Sequence, residues 1–318
     1  MIIRVVFVAS IIVFSVISTN AAEKLSVFVS IVPQKYFVQQ IGKEMVDVKI
    51  MVKPGASPAT YEPKPRQMAD IAKAKLYFAI GVPFENAWLE KISAANTGMK
   101  VIHTDHGIDK IAMAAHHHHK SDPGGNHGPE YHGEEHHDGE EHQDKKGHGD
   151  GDHHGHAGLD PHIWVSPSLV KVQAKTILKA LQDAAPLYKE EFQENYDSFS
   201  TRIDALDQEL KHTLAGTAGM QFIVFHPSWG YFAKDYGLKQ IPIEIEGKDP
   251  KPAQLKELIE HAKEREIKVI FVQPQFSTKS AEILAREIGG QVAFADPLAE
   301  DWMENLSMIA DKFKGVLK

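Results

Sequence analysis

The sequence predicts an α/β fold of two lobes, each a parallel β-sheet flanked by helices, joined by a long rigid linking helix. Three observations carry that expectation: short apolar strands alternate with helical stretches, the same grammar occurs twice, and a long amphipathic stretch separates the two occurrences. In the first occurrence Leu25–Ile31 reads as a strand, Pro33 opens a helix through Gln34–Gly42, and Val46–Val52 is a second strand. In the second, Phe222–Phe225 is a strand, Pro227 opens a helix through Trp229–Tyr236, Gly237 stops it, and Ile241–Ile245 is the next strand. The helix and strand of Pro65–Ala74 and Leu76–Ile80 recur as Pro252–Arg265 and Lys268–Val272. Between the halves, Ser166-Pro167 is a helix cap with proline at the first helical position. After Pro186 a second helix runs from 187 to 214, with Phe192, Tyr196, Phe199, Ile203, Leu206 and Leu210 spaced by threes and fours. Its 28 residues would span ~42 Å, longer than one small domain, so it is read as the connector.

The chain of 318 residues is long enough for two or three domains, and 42% apolar with 25% charged residues is globular composition. It has 19 histidines and no cysteine, which excludes disulfides, thiolate metal sites and thiol chemistry; soft-metal chemistry would have to use imidazole and carboxylate. Residues 1–22 carry one positive charge at Arg4, an apolar run from Val5 to Ile17 and a small-residue end at Ala21-Ala22. That pattern is a secretory signal peptide, too short in its apolar part for a spanning helix of ~20 residues. No cysteine follows for lipid attachment, so the expected mature protein is soluble in the periplasm, without stable membrane insertion. Residues 116–156 hold 13 histidines, ten acids and three lysines, so their net charge of −7 is nearly the whole chain's −8. The remainder is close to neutral and offers no nucleic-acid face. With almost no apolar residues, the tract reads as a disordered loop inside the first lobe. The expected division is 1–22 signal peptide, 23–185 first lobe including the tract, 186–214 linking helix and 215–318 second lobe.

Parallel sheets bind ligands beyond the carboxyl ends of their strands. Four runs lie at such places: Pro54-Gly55-Ala56-Ser57-Pro58-Ala59-Thr60-Tyr61-Glu62-Pro63, Asp160-Pro161-His162-Ile163-Trp164, Phe225-His226-Pro227-Ser228-Trp229, and Asp296-Pro297-Leu298. Two imidazoles plus a carboxylate make a common first set of zinc ligands. In this order the four runs resemble the metal-specific solute-binding proteins of ABC importers, in particular the ZnuA-like zinc-binding periplasmic subfamily. The resemblance covers essentially the whole mature chain, and the acidic histidine-rich insertion sits where zinc-type members carry theirs. It implies that His162, His226 and Asp296 are metal ligands for Zn2+, carried as cargo, with a membrane permease and its ATPase as partners. It also implies a monomer whose lobes rock only slightly about the connector. Histidine at 226 matches the zinc-type pattern, in keeping with imidazole's preference for zinc. In the family a histidine follows the second proline of the Pro-Gly-x-x-Pro run; here that position is Ala59. The missing ligand is then expected from water, from a histidine of the tract or from Glu62. The accessory metal candidates in the tract are His116, His117, His118, His119, His153, His154 and His156. Because ligating imidazoles must be neutral, affinity should fall as pH drops through about 6.5.

Other readings of the same residues are a receptor for manganese or another divalent metal, and a zinc buffer or adhesin acting mainly through the tract. A zinc hydrolase is disfavoured: the nearest approach to His-Glu-x-x-His, His132-Gly133-Glu134-Glu135-His136, has glycine where the glutamate is needed. The chain is therefore not expected to be an enzyme. His103 and His106 read as a surface turn at a strand end, and His212 and His261 as solvated helix positions. Tyr36, Phe37, Trp88, Trp229, Tyr231 and Phe232 read as core.

Overall fold

Two four-stranded parallel sheets, each in the strand order second, first, third, fourth, are joined through a bundle of long helices. The computed structural model describes residues 23–114, 158–245 and 248–316; the signal peptide called at 1–22 and the tract at 116–156 lie outside them. The first sheet is built from β1 (Leu25–Val29), β2 (Val46–Ile50), β3 (Leu76–Ala79) and β4 (Lys100–His103). Helices α1 (Val32–Gly42), α2 (Pro65–Ile71) and α3 (Pro83–Ala95) make the crossovers between them. The second sheet has β5 (Gln221–Val224), β6 (Lys239–Pro242), β7 (Val269–Val272) and β8 (Gln291–Phe294), linked by α6 (Gly230–Asp235), α7 (Pro252–Glu264) and α8 (Lys279–Glu287). Between the sheets lie α4 (Pro167–Ala184) and α5 (Lys189–Thr213), and α9 (Trp302–Val316) closes the chain.

The interior strands β3 and β7 are buried at every position, as parallel strands covered on both faces must be. In the second sheet the pleat separates two cores. Ile223, Ile270 and Val272 face α7 and α8, with Leu258, Ala262 and Leu284. Phe222, Val224, Val269 and Phe271 face the other way, into a core continuous with that of the first sheet. Phe313 of α9 anchors this face, with its ring 4.4 Å from Phe222 and 4.5 Å from Phe271.

Helix α5 crosses from one half to the other, and its 25 residues span ~38 Å. Asn195 donates to the carbonyl of Ile41, and Arg202 donates to Gln40 and Tyr36, all on α1. Further along, Asp207 accepts from Tyr236 beside α6. At the start of α4 the Ser166 hydroxyl accepts from the amide of Leu169 with Pro167 behind it, which is the predicted cap. Gly237 stops α6 with a φ of +71°, a conformation that favours glycine.

Several expected boundaries move: β1, β2 and α2 each end two or three residues earlier than expected. The linking helix opens with a 3-10 turn, Pro186–Tyr188, and becomes α-helical only at Lys189. Helix α6 begins at Gly230 because Pro227–Trp229 form a turn, in which the amide of Ser228 donates to the carbonyl of His226. The strand expected at 241–245 is β6, at 239–242. Among the described residues no helix is long and apolar enough to cross a membrane.

Candidate metal centre

His226 leaves β5 at its carboxyl end, next to the point where strand order reverses between β5 and β7, the place where such sheets bind ligands. Its backbone is clamped by Gln273, the first residue after β7: Oε1 accepts from the His226 amide and Nε2 donates to its carbonyl. The ring stacks on Phe276, with centroids 4.9 Å apart and planes 26° from parallel. Its Nδ1 lies 2.6 Å from Oε1 of Glu244, a buried residue just past β6.

His162 comes from the other half, on the segment that leads into α4. Asp160 Oδ1 accepts from the His162 amide at 2.8 Å and faces its Nδ1 at 2.7 Å. The ring lies 5.0 Å from that of Trp164. Burial pushes the His162 imidazole below the ordinary histidine range, against the opposing pull of the Asp160 carboxylate. Unfolded, this group takes a proton at about 6.5; folded, it does so only at lower pH. Between those values the unfolded chain binds more protons, so apoprotein stability should fall as pH falls below about 6.5. Denaturation midpoints at pH 7.5 and 5.5 are expected to differ in the wild type and to differ less in His162→Gln; an equal fall in both would place the dependence elsewhere.

The two imidazoles meet with Nε2 to Nε2 at 3.3 Å and their ring planes 71° apart. In the neutral tautomer that gives each Nδ1 hydrogen to its carboxylate, neither Nε2 would carry one, and two lone pairs would face each other. A cation between them would turn this repulsion into coordination. Zinc–nitrogen bonds of ~2.0–2.1 Å at a tetrahedral angle separate two ligating nitrogens by about 3.3–3.4 Å.

Asp296 follows β8 and is half-buried. Its Oδ1 accepts from the amide of Leu298 and from Gln275, and its carbonyl accepts from Asn305. The carbonyl of the adjacent Pro297 accepts from the indole of Trp164, so the segments bearing Asp296 and His162 are tied directly. Among the described residues no three His, Asp or Glu side chains already form a group that could hold a metal. Glu62 and Ala59 lie exposed on the loop between β2 and α2. The tract histidines 116–119, 153, 154 and 156 lie outside the described residues.

Of the remaining histidines, His103 is exposed at the end of β4, His106 is exposed just beyond it, and His212 is exposed on α5. His261, expected to be solvated, is half-buried instead, 3.0 Å from Gln221, because α7 lies against the start of β5. Phe37, Trp229, Tyr231 and Phe232 are buried, while Tyr36 and Trp88 are only partly so. Tyr231 does more than fill the core: its hydroxyl donates to the carbonyl of Asp160 at 2.9 Å and accepts from the amide of Ile111. Next to it, Gly230 packs so closely that a methyl there would stand 2.7 Å from Asp160 Oδ2 and 3.0 Å from Gln240 Nε2. Gly230→Ala is therefore expected to cost about 1–3 kcal/mol of stability, read as a lower denaturation midpoint.

Sequence reasoning singles out both imidazoles but assigns no role to Asp160, Glu244, Gln273 or Phe276. For Glu244 the available signal is a carboxylate inside the otherwise apolar run Ile241–Ile245; for Asp160 it is the place inside the Asp-Pro-His run.

Two parallel four-stranded sheets joined through long helices, with one imidazole from each half brought together, have the architecture of a solute-binding protein. The chain belongs to the family of the periplasmic component A of zinc-uptake complexes, whose model matches residues 27–315. It is 31% identical over 283 residues to the high-affinity zinc uptake system protein ZnuA of Bacillus subtilis strain 168, covering 88% of this chain and 80% of that one. A crystal structure of ZnuA superposes with a TM-score of 0.78 at 39% identity, over 93% of this chain and all of that one. A zinc-bound deletion mutant of ZnuA superposes equally well, at the same identity.

Proposed function

We propose that this chain captures Zn2+ in the cleft between its two halves and hands it to the permease of an ABC importer powered by its ATPase. The observation that carries the reading is the pair of Nε2 atoms 3.3 Å apart, each imidazole held at Nδ1 by a buried carboxylate. In this reading His162, His226 and Asp296 ligate the ion, and water or a histidine of the 116–156 tract completes the shell that Ala59 leaves short. Neutral nitrogen donors suit zinc better than manganese, whose sites are richer in carboxylate. The division into lobes at 23–185 and 215–318 about a linker at 186–214, removal of residues 1–22 on export, and a monomeric, non-enzymatic receptor belong to the same proposal.

Zinc titration of the mature chain and of a chain lacking 116–156 tests it. The tract should add several weaker equivalents, while one tight equivalent survives its deletion. Loss of every tight equivalent with the tract would move the cargo site out of the cleft.

A further inference from the structure

Two buried carboxylates stand behind the paired imidazoles, and neither is used up by the fold around it. Asp160 is fully buried, and its Oδ2 has no hydrogen-bond partner. Glu244 is 5% exposed, and its Oε2 likewise has none. A buried carboxylate with an unsatisfied oxygen costs stability, so each is kept at a cost to the fold.

Each is held against the segment that bears its histidine. Asp160 lies two residues before His162 and takes both its amide and its Nδ1 on one oxygen. Tyr231, from the other half, pins the Asp160 carbonyl. Glu244 is 18 residues from His226 in sequence, yet its amide donates to the carbonyl of Phe225, the residue before His226. The chain past β6 thus runs beside the chain past β5 and delivers the carboxylate to the ring.

We infer that Asp160 and Glu244 are positioning residues that set the affinity of the metal centre. Each holds its imidazole as the Nδ1–H tautomer with Nε2 offered to the ion, and each places a negative charge one ring away from it. An imidazole free to carry its hydrogen on Nε2 would present no lone pair to the cleft, and a ring free to rotate would lose the 3.3 Å spacing. Outer partners of this kind are worth 10–100-fold in metal affinity where they have been removed. Glu244 carries the sharper assignment, because only sheet pairing brings it to His226, whereas Asp160 also shapes its own turn.

The inference rests on the zinc reading above, and the test separates the two. Zinc affinity of the mature full chain, measured by chelator competition at its tightest step, is compared for wild type, Glu244→Ala, Glu244→Gln and His226→Ala. Long-range nitrogen–proton NMR of the histidines reports the tautomer of each apoprotein. The expected results are loss of the tight step in His226→Ala and a 10–100-fold weakening in Glu244→Ala with mixed tautomers at His226. Glu244→Gln, whose amide oxygen still accepts from Nδ1–H, should fall between wild type and alanine. Wild-type affinity in Glu244→Ala alongside a lost step in His226→Ala would overturn the positioning role and leave the zinc site standing. Equal losses in the alanine and glutamine variants, with the Nδ1–H tautomer intact, would overturn it in favour of simple packing. A tight step that survives His226→Ala would overturn both readings.

Discussion

Replacing His226 by alanine is expected to weaken the tightest zinc-binding step by about 10²–10³-fold. A structural zinc site of four ligands is worth ~10–16 kcal/mol, so one ligand carries roughly 2.5–4 kcal/mol, at 1.4 kcal/mol per tenfold. The loss should not be recovered by the rest of the site. His226 is gripped through its backbone by Gln273 and through its ring by Phe276, and no other described histidine shares the space around His162. His162→Ala should behave alike, because the two nitrogens act as one pair. His103→Ala is the control: its side chain is 54% exposed at the end of β4, and the tight step should be unchanged. Chelator competition on the four proteins reads the result directly. If His226→Ala and His103→Ala lost affinity to the same small extent, the paired imidazoles would not be the zinc site.

What the sequence makes legible follows from the range over which each signal acts. A proline or glycine next to an apolar run is local chemistry, and it places β1, β5, the Ser166 cap and the Gly237 stop within a residue or two. The end of β6 is harder to read, because it depends on the partner strand. As an edge strand it accommodates the charged Lys239 at its start, and Pro242, lacking an amide hydrogen, closes the ladder. The apolar residues beyond it, Ile243 and Ile245, look like more strand, but the Ile243 amide turns back to Val224 and Phe225.

The metal centre divides in the same way. His162 and His226 announce themselves by standing beside prolines, one ahead of α4 and the other past the end of β5, and family resemblance names them. Glu244 cannot be tied to His226 by spacing, since their contact exists only because β5 and β6 pair in register. The Trp164 link to Pro297 joins residues 133 apart and has no sequence signature at all. Side chains that bear the chemistry are visible in one dimension; those that aim them belong to the fold.

Trp164 is where aiming and stability meet, and its substitution should have the next largest effect. The side chain is 1% exposed and lies beside the His162 ring. Its indole nitrogen donates to the carbonyl of Pro297 at 2.7 Å, and its own carbonyl accepts from the indole of Trp302 at 2.6 Å. Trp164→Ala removes the whole ring and should cost about 3–5 kcal/mol in a denaturant titration of the apoprotein. Trp164→Phe keeps most of the apolar contact but leaves the Pro297 carbonyl without its donor, an expected cost of about 1–3 kcal/mol. The separation between stability and binding is the informative part. Pro297 is bonded to Asp296, so a lost indole hydrogen bond releases the segment of Asp296, the proposed carboxylate ligand, from the segment of His162. Zinc affinity should therefore fall in Trp164→Phe even where the apoprotein remains folded. Trp302→Phe provides the comparison, because it breaks the second indole bond while the Trp164 tie to Pro297 stays in place. A stability loss in Trp164→Phe with zinc affinity equal to wild type would mean that the two ligand segments are aligned without this bond, and that the tryptophan serves the core alone.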